Sequence, residues 1–150
     1  MKAPLILRTV PALLVTIVLL GLVAYYAGRG SLFISPSVFL IIVAGTATTT
    51  LCAHRFGKVR KAISALFTRD ALTADEAAAA GEVYASASRY AIFWGVLVFL
   101  FKAAAFLSNL DDPTTWAPYM ASAFIAPIYG FALAWLILLP VARLVRDEVA

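Results

Sequence analysis

The sequence predicts an all-α integral membrane protein with four transmembrane helices and a short cytoplasmic helical segment between the second and third. Hydrophobic residues make up 63% of the chain and charged residues 13%, whereas a soluble domain is nearer half apolar and a quarter charged. The apolar residues gather into four runs, at about 10–27, 36–53, 90–107 and 119–142. Each is close to the roughly 20 residues that a bilayer core requires. Lys and Arg fall between alternate runs, which is the pattern of a chain sorted by the positive-inside rule. The 150 residues leave no room for a separate soluble domain, so residues 1–150 are read as one unit.

The first run, Val10 to Ala27, follows Lys2 and Arg8 and so begins like a signal peptide. It is long, however, and Tyr25 and Tyr26 spoil the small-x-small cleavage pattern, so it reads as an uncleaved helix with tyrosines at the far interface. Gly28, Arg29 and Gly30 break it. Pro36 opens the second run, where a first-turn proline loses no helical bond. The second half of that run is nearly all small residues, with Thr46, Thr48, Thr49 and Thr50 among them. Their hydroxyls can bond the carbonyl one turn back, bond across to another helix, or border a water or ion path.

After Cys52 the composition changes. His54, Arg55, Lys58, Arg60, Lys61 and Arg69 cluster within the segment at about 54–89. Val59, Ile63, Leu66 and Phe67 recur at helical spacing and predict an amphipathic helix. Such a helix lies on the membrane surface, continues from the second span, or is simply solvated. Thr73 and Glu76 match a capping box, and the alanines from Ala77 predict a helix running unbroken into the third span. Within that span stands Lys102. A charge in hydrocarbon is a functional-site candidate by default. The alternative is that its stem snorkels to the nearby interface, toward Asp111 and Asp112.

The last run is patterned as well as greasy. Ser122, Ala126, Gly130 and Ala134 recur every four residues and form a small-residue stripe for close helix packing. From it we expect a homo-oligomer whose copies pack through these four residues. Pro127 precedes Tyr129 and Gly130, Pro140 closes the run, and Arg143 and Arg146 follow. With four crossings, every Lys and Arg except Arg29 and Lys102 falls on one side, which puts both termini and the central segment in the cytoplasm. Cys52 and His54 are the sole residues of their types, so neither an intrachain disulfide nor a metal cluster is expected. Paired carboxylates and Ser-His or Cys-His sets are lacking, so neither an enzyme nor a cofactor is expected; membrane orientation accounts for the basic residues without nucleic acid.

The stretch LSNLDDPTTWAPYMASAFIAPIYGFALAWLILLPVARLV resembles the third loop and fourth helix of the flagellar stator protein family MotA. The shared features are the Leu-Ser-Asn-Leu-Asp-Asp-Pro loop, the Tyr-Gly pair at Tyr129 and Gly130, and a Leu-Pro-x-Ala end. GSLFISPSVFLIIVAGTATTTLCAHRFGKVRKAISALF is similar to that family's loop, Pro-Ser start, mid-helix glycines and following basic segment. The resemblance covers most of the chain outside Phe67 to Arg89. The related TolQ and ExbB proteins usually have three crossings and fit less well.

The resemblance implies a subunit of an ion-driven, stator-type proton or sodium channel in the bacterial inner membrane. It would assemble as a ring around a single-span, MotB-like partner that carries the ion-accepting Asp. That no Asp or Glu falls in the four apolar runs agrees with this division of labour. The ion-path candidates it points to are Thr46, Thr49, Tyr129, Pro127 and Phe99. The pattern departs from the family in three places. Pro127 stands where the family has a Thr two residues before the Tyr. Val98 and Phe99 replace a Gly-Thr pair, with Lys102 at the next Gly. The cytoplasmic segment is far shorter than in flagellar stators. The alternative reading is a membrane scaffold or accessory subunit with the same fold and no conduction.

Overall fold

The computed structural model describes residues 14, 15, 18, 21, 35–67, 73–108 and 113–147; of these, the side chains of 67, 113–119 and 147 are not described. The described chain is helical nearly throughout. Five segments matter: α1 (Pro36–Ala53), α2 (Phe56–Phe67), α3 (Ala74–Leu107), α4 (Pro113–Ala132) and α5 (Leu139–Asp147), with α4 and α5 joined by a wider turn at Leu133–Leu138. Three stretches are long and apolar enough to cross a membrane: Pro36–Ala53, Ala74–Leu107 and Met120–Arg146. The first apolar run lies mostly outside the described residues; of it, Leu14, Val15, Val18 and Gly21 are helical. The loop with Asp111 and Asp112 also lies outside them.

Pro36 occupies the first turn of α1, and the helix ends at His54, whose extended backbone donates its N–H to the Thr50 carbonyl at 3.0 Å. The capping box of α3 forms as the sequence predicts. Thr73 Oγ1 accepts from Glu76 N–H, and Thr73 N–H donates to Glu76 Oε2, both at 3.4 Å. This satisfies two of the donors that every helix start leaves unpaired. With no proline inside it, α3 then runs for 34 residues. At 1.5 Å per residue that is about 51 Å, well beyond an apolar core of about 30 Å. Its first turns, carrying Asp75, Glu76 and Glu82, therefore project past the apolar layer, and the part from Tyr90 onward matches it.

Two hydrophobic clusters follow from this length. One joins Val38 and Ile42 of α1, Val98 of α3 and Ala126 of α4, with Trp94, Phe99, Tyr129 and Leu133 packed around them. The other sits at the basic end. There Val59 and Ala62 of α2 meet Ala77, Ala80, Val83 and Tyr84 of α3 and Ala142 and Val145 of α5. Lys61 pairs with Glu76 at 3.3 Å, while the Tyr84 hydroxyl donates to the Ala62 carbonyl at 2.9 Å. Thr49 of α1 meets Trp94 of α3. Rising numbers along α1 and α2 thus meet falling numbers along α3, so α2 continues the course of α1 down the projecting part of α3. The helices α1 and α2 are separate, with the break at the extended His54.

The face of α2 is shifted from the expected one. Val59 and Leu66 pack inward, but Ile63 is 52% exposed, and Ala62 and Ala65 take the inner positions. The reason is close approach to α3 and α5, which are lined by Ala77, Ala80 and Ala142 at this level. Small residues fit that gap and a branched Ile does not.

The wider turn was not legible in the pattern. The Leu139 N–H bonds the Ala134 carbonyl, five residues back. Pro140 follows directly; its ring clashes with the carbonyl four residues earlier and has no N–H to give, and a turn of this kind relieves both problems. A stripe repeating every four residues drifts about 40° per step around a helix of 3.6 residues per turn. Widening one turn offsets part of that drift and keeps Ala134, Ala142 and Val145, all buried, facing inward.

Candidate functional site

The residues singled out from sequence lie along two seams of α3, one with α1 and one with α4. On the first, Gly45 lets the indole of Trp94 lie on the α1 backbone; a Cβ there would collide with the ring. The indole N–H then donates to Thr49 Oγ1 at 2.9 Å. The Thr49 hydroxyl donates in turn to the Gly45 carbonyl at 2.8 Å. Thr46 and Thr50 are buried and donate to the Ile42 and Thr46 carbonyls, each at 2.7 Å. All three threonines donate the backward bond, and Thr49 also accepts one from across the seam. Where no water is at hand, a buried hydroxyl takes the nearest carbonyl. Thr48 is exposed.

On the second seam the stripe is in contact within the chain. Ala126 and Ala134 are fully buried. A Cβ at Gly130 would lie 2.7 Å from the Ala91 carbonyl oxygen and 3.0 Å from Gly95 Cα. A Cβ at Gly95 would lie 3.0 Å from both the Ala126 carbonyl oxygen and Gly130 Cα. The two helices thus touch backbone to backbone, as small residues permit in lipid. Within one chain, Ala126 and Gly130 of the stripe thus lie against α3.

Tyr129 and Phe99 belong to the apolar cluster, with Phe39 edge-on to Tyr129 at 5.8 Å and Phe99 tilted against Phe124 at 5.4 Å. The Tyr129 hydroxyl accepts the Ser35 N–H at 2.9 Å, one of the donors at the start of α1. Pro127 is half-buried, its Cα facing Gly95. Tyr129 and Phe99 thus share the apolar cluster among α1, α3 and α4, Pro127 lies against α3, and Thr49 meets α3 from α1.

Lys102 reaches across to α4. Its Nζ donates to Ser122 Oγ at 3.2 Å and to the Ser122 carbonyl at 3.5 Å. Ser122 lies about 14 Å along α4 from Pro113, so the side chain does not run out to the end of the helix. In a helix each Cα–Cβ bond tilts toward the N-terminus, which for α3 points away from Leu107.

No family model and no curated protein matches the chain.

Among the described residues, no three His, Cys, Asp or Glu side chains are arranged to hold a metal ion. The contacts that pattern reading missed are those of Trp94, Gly45 and Gly95. A signal for the first existed: an intramembrane indole N–H needs an acceptor, and the threonine-rich half of α1 offers the nearest ones. Gly95 had no such signal, because its role depends on where Gly130 falls.

Proposed function

We propose that this chain is a MotA-like subunit of an ion-driven, stator-type membrane complex in a bacterial inner membrane, acting with a single-span partner that supplies the membrane carboxylate. One observation carries the reading: the apolar runs hold no Asp or Glu, while the stretch around Tyr129 and Gly130 resembles that family's fourth helix. A proton crossing hydrocarbon needs titratable or hydroxyl-lined stations. The buried threonines of α1 donate to their own helix, so a mobile carboxylate from elsewhere has to do the relaying.

The same threonine bonds favour a second reading, a scaffold or accessory subunit that conducts nothing. Phe99 and Pro127, standing where the family pattern has hydroxyls, point the same way. Proton flux into proteoliposomes separates these readings. The chain alone should give no flux above lipid controls, and flux should appear when a single-span protein with a membrane Asp, co-purified from native membranes, is added. Robust flux from the chain alone would overturn the supply of the carboxylate in trans; no flux with such a partner bound would favour the scaffold.

A further inference from the structure

Lys102 is the one charged residue within the four apolar runs. Its Nζ has Ser122 Oγ and the Ser122 carbonyl as acceptors, and both are neutral. Two neutral acceptors stabilise a cation far less than a carboxylate does in a medium of low dielectric constant. Among the described residues, no carboxylate pairs with Lys102. Lys102 itself is half-buried, so an outside group can reach it. Phe99, one turn away on α3, packs its ring on the 53% exposed Phe124 of α4 and leaves apolar surface beside the charge.

We propose that Lys102 and Ser122 form a docking site for a carboxylate carried within the membrane by a transmembrane helix of another chain. The charge selects an anion. The setting selects a helix-borne carboxylate over a lipid headgroup, because Nζ is turned along α4 to Ser122 and away from the Leu107 end, where a headgroup phosphate would draw it. The apolar surface of Phe99 and Phe124 suits the aliphatic flank of such a helix. The proposal deepens the partner reading above and rests on it only in taking the partner to be a membrane helix. Ser122 then holds the ammonium at the depth where the acid arrives.

The test reconstitutes the full chain in phosphatidylcholine vesicles with a leucine-alanine transmembrane peptide of fixed orientation. The peptide carries one Asp at the depth of Ser122, or Asn at the same place, and association is read by energy transfer. The Asp peptide should bind about tenfold more tightly than the Asn peptide, the size expected for a strong polar contact between membrane helices. Lys102→Arg should keep that advantage and Lys102→Met should lose it. Moving the Asp two turns toward the basic end should also remove it; if Lys102→Met does not fold, this depth series on the parent chain decides. Equal binding of the two peptides, or an advantage that survives Lys102→Met, overturns the proposal. So does a Lys102-dependent preference for phosphatidylglycerol with no Asp advantage, which would assign the site to a lipid phosphate. The assay needs neither flux nor the natural partner, so its failure is distinct from failure of the conduction reading.

Discussion

Thr49 does two things at once. Its hydroxyl donates to the Gly45 carbonyl and accepts the Trp94 indole N–H, closing a small circuit between α1 and α3. Thr49→Val keeps the shape and removes both roles, leaving a part-buried N–H without its acceptor. An unsatisfied donor of this kind costs about 1–3 kcal/mol. Trp94→Phe in the same background should restore part of that loss, because the orphaned donor goes with the indole. Denaturant unfolding in mixed micelles checks both variants. Equal stability of Thr49→Val and the parent would show that the indole finds another acceptor. Gly45 stands behind the same contact, since only a residue without a Cβ lets the ring reach the threonine.

At the scale of elements, the first turn of α3 is tied down by charge as well as by its cap. The Lys61 ammonium, bonded to the Glu76 carboxylate, holds it below the ordinary glutamate range, and the Thr73 backbone bond adds to this. Glu76 lies in the part of α3 that projects past the apolar layer. A carboxyl whose folded value is depressed contributes stability that is present above its unfolded value, about 4.3, and is lost as pH falls through the folded value. Amide exchange in the first turn of α3, corrected for its intrinsic pH dependence, should therefore quicken as pH drops below about 4.3. In Glu76→Gln it should be flat over that range. The same pH response in both proteins would exclude this carboxylate as the cause. The wider turn at Leu133–Leu138 acts at this scale too, since buried residues on both sides of it, Ala126 and Ala142, pack into clusters that α3 shares.

The molecule as a whole has two packed regions stacked along α3, one in the apolar layer and one at the basic end. Its outer surface in the apolar layer is greasy, with Leu40, Phe93, Phe101 and Trp135 at least 56% exposed, as suits a surface that faces lipid or another membrane helix. The proposed four-crossing topology puts the basic end in the cytoplasm and the segment between α3 and α4 outside. In a Cys52→Ala background, Ser64→Cys should be shielded from a membrane-impermeant thiol reagent in intact cells, and Thr114→Cys should react. Outside labelling at both positions would break this topology.

By itself the sequence determined the helical, membrane-compatible class and the course of the three long apolar helices among the described residues. Apolar runs, Pro36, the Thr73–Glu76 box and the alanines from Ala77 are local signals, and local signals suffice where the physics is the length of a bilayer and the pairing of backbone groups. The return of the threonine hydroxyls to their own helix was one of the local options. Partner choice was beyond such reading. The stripe at Ser122, Ala126, Gly130 and Ala134 announces close contact but carries no address, and only the folded chain shows Gly95 filling it. The same holds for Lys102, whose bond to Ser122 on α4 no spacing along α3 announces. Ile63 lost its inner place to Ala62 because the gap to α3 and α5 is set by residues far away in sequence. Each of these outcomes depends on distances between helices, which no single helix encodes.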